Sequence, residues 1–518
     1  MEKALNYYKN NIKAVNEKLK KLEKVLIYFS ILRFIIVILC IGIMYYFYKQ
    51  SSIEAMGASF LVFLLIFIIV AFFHNEKINK KKKLLIILEY NEKGIKRLDN
   101  TWREFKDIGE EFINKKHKFS NDLDIFGKSS LFQWINLTKT SFGRKNLANK
   151  MMMNSLPTRY DIQEEQEAIK ELSNKREFCE KIYFEASIEN KKKENIEELL
   201  KWLDKDEKSN FTIKYISYLF ITITFIMIFL TITRKVSISN LILDLIINYL
   251  VIKLLTKRLS DVISIFINNK KKIYKYSNML SIIQDENFKS KKLLSIQKGL
   301  VSSNINCKNE MKKLKNIISW LGDSTSNAYY LIVNVLFMSD IFILSNLEEW
   351  KVKNGYKVRK WLDDMGEIEA LISLSTIAFE HDEWTYPTIS GVNEIEAIEL
   401  AHPLLGEKAK SNNFTLKGRE KVALITGSNM SGKSTFLRTI GFNMILTYLG
   451  LPTFSKGFKC GISNIYTCMR TQDNLEENIS SFYAEILRIK LVIEAAKRGE
   501  KVFFLLDEIF KGTNSKDR

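Results

Sequence analysis

Two apolar stretches, Leu26 to Tyr48 and Ile53 to Phe73, constrain this chain more than any other feature of its sequence. Each is long enough to cross the ~30 Å hydrocarbon core of a bilayer as a helix rising ~1.5 Å per residue. Both are apolar on all sides, whereas a helix on a soluble core keeps a polar face. The one charge in the first stretch, Arg33, lies near its start, within snorkelling reach of the headgroups. With the short polar turn Lys49–Ser52 between them, the two predict a transmembrane hairpin at about 26–48 and 53–73.

A second pair follows. Tyr215 to Thr233 carries no charge and predicts another span. Val236 to Ile252 is more polar, with Asn240, Asp244 and Asn248 at i, i+4 and i+8, which form one stripe on a helix. Two readings stay open for it. One is an amphipathic helix lying on a surface. The other is a span whose polar face packs on neighbouring helices, since a central Asp is costly against lipid. The expected second hairpin is about 213–233 and 236–256.

Charge placement predicts the orientation. Seven Lys lie between residues 3 and 24, and Lys80–Lys83 follows the first pair. Lys191–Lys193 precedes the second pair, while Lys257, Arg258 and Lys270–Lys272 follow it. The positive-inside rule puts these flanks in the cytoplasm. Four spans keep the N-terminus and the C-terminal part on that side, so a multi-pass membrane protein is expected. At 518 residues, two or three domains are also expected. The net charge of +20 raises nucleic acid or an anionic membrane surface as partners. The Lys excess runs beside Asn and Ile throughout, as a biased composition does. Five cysteines without paired or metal-type spacing fit a reduced, cytosolic setting.

Residues 421–435 read KVALITGSNMSGKST. Val422 to Thr426 is a short apolar run suited to a buried parallel strand. It leads into Gly427, Ser428, Asn429, Met430, Ser431, Gly432, Lys433 and Ser434, a complete G-x-x-x-x-G-K-[ST] phosphate-binding loop, followed by Thr435. Glycines let backbone N–H groups curl round phosphates, and the following helix, expected over Phe436 to Tyr448, presents its positive N-terminus. Lys433 is expected on the β- and γ-phosphates and Ser434 on Mg²⁺. Lys501 to Glu508 reads as an apolar strand ending in two acids. Asp507 would hold the Mg²⁺ of bound ATP, and Glu508 would polarise the attacking water.

The residues around these motifs resemble the MutS family. TGSNMSGKST is similar to its TGPNMxGKST loop, including Asn429 and Met430. Leu506-Asp-Glu-Ile-Phe-Lys-Gly-Thr-Asn-Ser-Lys-Asp-Arg518 resembles its DExxxGT-x-x-x-D-R element, with Gly512, Thr513, Asp517 and Arg518 matching. Asp473 to Glu485 is similar to the signature segment, which makes Ser480 the residue that reaches the partner's γ-phosphate in a dimer. The signature glycine two residues before that serine is Asn478 here. Ala401-His402-Pro403 resembles the segment that opens the family's ATPase domain. Upstream, Asp122 to Leu172 is similar to the family's core domain, with a helix start marked by Thr140, Gly143 and Leu147. Pro157 and Gln166 fit its continuation, although the usual Arg is Glu165. Asp363 to Glu380 resembles the return of that domain.

The resemblance implies a multidomain α + α/β chain. Residues 1–100 form a basic helix and the first membrane hairpin. Residues 101–385 form a helical core and lever domain interrupted by the second hairpin. Residues 386–518 form a P-loop ATPase domain of ABC type. Relative to the family pattern the sequence ends just past the Asp-Arg turn, so that domain is expected to be incomplete and its turnover is left open. The implied cofactors are ATP and Mg²⁺, and the implied partners are a second copy through the ATPase domains, the membrane, and DNA. Catalysis falls to Lys433, Glu508 and Ser480. Residues 1–100 show nothing like the family's mismatch-reading Phe-x-Glu element, so direct mismatch recognition is not expected. The rival reading is an ATP-driven mechanical or transport-type membrane ATPase without a DNA substrate.

Overall fold

Most of the chain is helical, and its two longest apolar stretches lie inside helices that run far beyond them. The computed structural model describes residues 1–188, 196–205, 212–256, 260–302, 305–321, 328–391, 394–417, 422–469 and 481–508. The chain divides into two compact units, Met1–Ile135 with Thr376–Arg518, and Asn136–Ser375. These units cut across the segments 1–100, 101–385 and 386–518, because the N-terminal helices pack on residues near 380.

In the first unit, helices Glu2–Lys49 and Ile53–Leu98 are joined by three residues, with Ser51 in the left-handed region at φ 54. They pair antiparallel along their polar halves. Gly94 lies under the Tyr8 ring, where a Cβ would come within 2.4 Å of it. Asn11 donates to Asn91 at 3.2 Å, Val15, Leu19 and Leu22 pack with Leu84, and Lys81 meets Glu23 at 2.7 Å. Further along, Arg33 and His74 are 3.3 Å apart. The buried positions 4, 8, 15, 19 and 22 recur at helical spacing, the signature of one packed stripe.

The apolar halves pack differently. None of residues 53–73 is buried, and Ile36 alone is buried between 26 and 48. Phe34 and Phe72 are each more than 65% exposed. These two helices are long and apolar enough to cross a membrane, and Ser217–Ile232 is apolar but shorter.

At the polar end of this helix pair a buried ion pair ties it down. Arg97 donates through Nε and Nη2 to Glu380 at 2.7–3.0 Å, and the Tyr8 hydroxyl donates to the same carboxylate at 2.8 Å. An aromatic run follows directly. His381 stacks on Trp384 (4.4 Å), Trp384 stacks on Phe454 (4.9 Å), and Trp134 lies against His381 and Trp384. Beside it stands a four-stranded sheet in the order Thr388–Ile389, Gly457–Cys460, Ile395–Leu400, Asn412–Leu416, parallel in its first pair and antiparallel elsewhere. A separate parallel pair joins Asn464–Cys468 to Val502–Leu506.

Among the described residues the second unit is helical apart from loops and the two-residue strands Val301–Ser302 and Ile305–Asn306. Thr140 caps the helix Ser141–Met152 by accepting from the Gly143 N–H, and Leu147 is fully buried. Glu369 accepts from the Lys139 N–H at 2.8 Å. Gly366 sits so close to this helix start that a Cβ would lie 2.6 Å from the Phe142 carbonyl carbon. Glu165, where the family pattern has Arg, takes Lys150 at 2.7 Å and Lys292 at 3.2 Å, and Glu367 takes the same two lysines. Helices Thr212–Ile232 and Ile238–Thr256 pair with each other. Asn248 of their polar stripe is buried and donates to Thr224 at 2.7 Å and to the Val335 carbonyl at 3.3 Å. Asp244 is half-buried and Asn240 is exposed, so the stripe turns inward only at its C-terminal end. Lys191–Lys193, Lys257 and Arg258 lie outside the described residues.

Candidate functional site

The loop 427–432, expected to bind phosphate, opens onto the helix Lys433–Tyr448, which starts three residues earlier than the expected Phe436. Gly432 is its N-cap at φ 93, and no side chain caps it. Its first N–H groups therefore have no side-chain acceptor, the condition that makes a helix start attractive to an anion. Met430 is also left-handed at φ 64, and Ser431 between them is not. That alternation turns successive backbone N–H groups toward one side, as in anion-binding nests. A Cβ at Gly427 would stand 2.8 Å from the Ser431 hydroxyl, so a larger residue there would make that side chain turn away. The Lys433 ammonium donates to the Gly427 and Ser428 carbonyls at 3.0 and 2.9 Å, so it lies over the loop itself. Ser434 and Thr435 are exposed at the helix start.

What holds this helix is its second half, buried from Thr439 to Tyr448. Gly441 packs against the strand that ends in Asp507, and a Cβ there would be 2.7 Å from a Leu505 methyl and 3.0 Å from Leu123. Asn443 is fully buried. It donates to the Ala401 carbonyl at 3.1 Å and accepts from the Phe454 N–H at 3.2 Å. Neither residue was singled out from the sequence. The available signal was a lone Asn and Gly inside an otherwise apolar run.

The strand Val502–Leu506 is as expected. It pairs in parallel with Asn464–Cys468, buries Leu505, and continues to Asp507, whose N–H donates to the Cys468 carbonyl at 3.0 Å. Asp507 is half-buried and Glu508 exposed, with Glu508 left-handed at φ 45. A left-handed glutamate at the end of a strand is uncommon.

The expected strand Val422–Thr426 is a correction. The segment belongs to no sheet among the described residues, and Val422 and Leu424 are 71% and 86% exposed. A buried parallel strand needs backbone partners and two covered faces. The parallel pair Asn464–Cys468 and Val502–Leu506 does not take it in. Among the described residues the α/β character thus rests on this parallel pair and the two helices that pack on it, Lys433–Tyr448 and Ser481–Lys497. Ser480, Asn478 and the rest of 470–480 lie outside the described residues, as do Gly512, Thr513, Asp517 and Arg518.

His402, in the segment Ala401-His402-Pro403, is buried beside Phe442 at 5.1 Å, and its Nδ1 accepts from the Leu404 N–H at 3.3 Å. Burial, aided by the Arg438 charge, lowers its pKa to about 4, so the ring is neutral at pH 7. It caps the turn that joins the strands Ile395–Leu400 and Asn412–Leu416.

Residues 423–518 match the family model of MutS domain V, so the loop, the helix and the acidic strand together are that domain. Through that domain the chain is similar to proteins of the MutS family. It is 33% identical over 165 residues to the DNA mismatch repair protein MutS of Persephonella marina, covering 31% of this chain and 19% of that protein. It is 29% identical over 178 residues to endonuclease MutS2 of Carboxydothermus hydrogenoformans, covering 34% and 22%. It is 31% identical over 184 residues to MutS protein homolog 5 of Caenorhabditis elegans, covering 34% and 13%. The similarity thus spans less than a quarter of the length of each of these relatives.

Proposed function

We propose that this chain is a membrane-anchored ATPase of the MutS family that binds and hydrolyses ATP with Mg²⁺ and works as a dimer through its C-terminal domains. The observation that carries the reading is the open, uncapped helix start at Gly432, packed through Gly441 onto the strand that ends in Asp507. Those residues fit a nucleotide. The loop offers backbone N–H groups, Lys433 a mobile ammonium, Ser434 a hydroxyl, and Asp507 a carboxylate. Bound MgATP supplies the triphosphate to be cleaved and the divalent charge that polarises it. Lys433 leaves the Gly427 and Ser428 carbonyls to meet the phosphates. Ser434 and Asp507 would hold the metal, and Glu508 would orient and polarise the attacking water. Ser480, by the resemblance, serves the partner's nucleotide.

Membrane anchoring rests on the helices Glu2–Lys49 and Ile53–Leu98, whose apolar halves are largely exposed. The pair Thr212–Ile232 and Ile238–Thr256 is read as the second membrane hairpin, which keeps both ends of the chain cytoplasmic. DNA binding and a link to mismatch repair come from what the relatives are called, and with them a DNA-facing role for this chain. The apolar hairpin favours a second reading, an ATPase that works on the membrane or a partner within it.

Binding of a fluorescent ATP analogue to the full chain in detergent tests the nucleotide site. Wild type should bind in the presence of Mg²⁺, Lys433→Ala should lose at least tenfold in affinity, about 1.4 kcal/mol, and Glu508→Gln should bind but not turn over. Equal binding by Lys433→Ala would sink the proposal. Anisotropy with branched, mismatched and perfect duplexes across a salt series separates the two readings. ATP-dependent preference for a structured duplex supports a DNA factor, and sequence-blind binding lost near physiological salt supports the membrane role.

A further inference from the structure

The first helix pair carries a ring of positive charge that the nucleotide chemistry does not use. Residues 18–24 and 76–83 contain nine lysines, Lys18, Lys20, Lys21, Lys24, Lys77 and the run Lys80–Lys83, against two acids, Glu23 and Glu76. The Lys81–Glu23 ion pair and the packing of Leu19 and Leu22 on Leu84 set these two segments side by side. All the lysines therefore occupy one level of the hairpin, a band of about seven residues, or ~10 Å along the axis at ~1.5 Å per residue. Seven of the nine are exposed, and Lys77 and Lys81 are half-buried.

Position and shape identify what such a band fits. Lys24 stands two residues before Leu26, where the first apolar stretch begins, and Lys77 stands four residues after Phe73, where the second one ends. The band lies where headgroups begin if the apolar halves fill the ~30 Å hydrocarbon layer. At 100° per residue, positions 18, 20, 21 and 24 spread over about 160° on the side of their helix opposite the buried Val15, Leu19 and Leu22, and 80 to 83 point to nearly all sides of the other, so together they surround the pair. A duplex meets a protein on one face, whereas a lipid leaflet surrounds it. The opposite end of the hairpin carries only Lys49 and Glu54 between residues 43 and 60, so the charge belongs to one leaflet.

We infer that this lysine collar binds the headgroups of anionic phospholipids and retains a shell of them around the base of the hairpin. The inference rests on the reading of the first helix pair as membrane-embedded. It goes beyond that reading, because orientation by positive charge requires no lasting lipid contact.

The test is electron spin resonance of spin-labelled phosphatidylglycerol and phosphatidylcholine around the full chain in phosphatidylcholine bilayers. Wild type should immobilise the anionic lipid with roughly threefold preference at low salt, falling toward none near 1 M salt, where the Debye length is ~3 Å. The variant K18Q/K21Q/K80Q/K82Q/K83Q should lose the preference, and replacement of the same five residues by Arg should keep it. A chain that stays in the bilayer through alkaline carbonate yet shows equal preference for the two lipids overturns the collar and leaves the anchor standing. A chain that carbonate extracts overturns both. Should the Gln variant not fold, the salt series and the Arg variant still decide. Loss of duplex DNA binding in the Gln variant, without any lipid preference in wild type, would assign the lysines to nucleic acid instead and overturn the inference.

Discussion

His402 shows how one buried side chain makes a domain sensitive to pH. Its pKa is about 4 in the folded protein and about 6.5 in an unfolded chain. Between these values the unfolded chain binds a proton that the folded one refuses. The stabilisation is present in full above about pH 6.5 and is lost as the pH falls toward about 4. Its size is on the order of 3 kcal/mol, for a shift of two to three pH units at ~1.4 kcal/mol each. His402→Asn keeps an acceptor for the Leu404 N–H but removes the titration. Chemical denaturation at pH 7 and pH 5 should show wild type losing more stability than His402→Asn over that interval. Equal losses would mean that the ring is hydrated in solution. The residues of the loop act in a different way. Lys433 sits on two carbonyls of its own loop, an arrangement that costs little to leave and keeps the charge at the place where phosphate would arrive.

At the scale of elements, the helix Lys433–Tyr448 is positioned by what lies behind it. Gly441 lets it approach Leu505 and Leu123 so closely that a methyl group forces both to move. Gly441→Val should cost about 1–3 kcal/mol through overpacking. It should also weaken nucleotide binding, although it lies two turns from the loop. Thermal melting and nucleotide titration of the same variant check both effects, and an unchanged melting temperature would show the contact to be loose. Much of this element was legible in the sequence. Gly427, Gly432 and Lys433 have fixed spacing because backbone geometry around phosphate demands it, and an apolar run ending in Asp507 can scarcely be anything but a strand. Thr140 and Gly143 were marked by the family resemblance alone, and the structure supplies their reasons, a cap and a close approach to Glu369. Val422 to Thr426 was not legible. Its composition suits a strand, but pairing is decided by distant backbone, and Leu424 stands exposed with no strand beside it. Asn443 escaped notice because a buried Asn in an apolar helix reads as an exception until Ala401 and Phe454 supply its partners.

At the scale of the molecule, the hairpin has two roles that experiment can separate. Its apolar halves are exposed and make almost no contact with the rest of the chain, whereas its polar halves belong to the core of the first unit. Arg97 and Tyr8 converge on Glu380, and all three are nearly inaccessible. Such a pair adds little net stability compared with apolar residues of similar size, but loss of one partner strands a charge away from water at a cost of about 3–5 kcal/mol. Deletion of residues 1–98 removes both Arg97 and Tyr8, leaves Glu380 buried alone and uncovers its apolar surroundings. That variant is expected to be recovered only as aggregate. Replacing the outward-facing Ile, Leu and Phe of 26–48 and 53–73 by Glu, Lys and Gln leaves the clasp intact and removes only the surface that faces no protein. This second variant is expected to stay soluble without detergent and to bind nucleotide as wild type does. Gel filtration followed by nucleotide titration distinguishes the outcomes. A soluble, nucleotide-binding deletion variant would show that the Arg97–Glu380 clasp is dispensable. A surface variant that still requires detergent would place the main membrane contact elsewhere, with the helices Thr212–Ile232 and Ile238–Thr256 next to be altered.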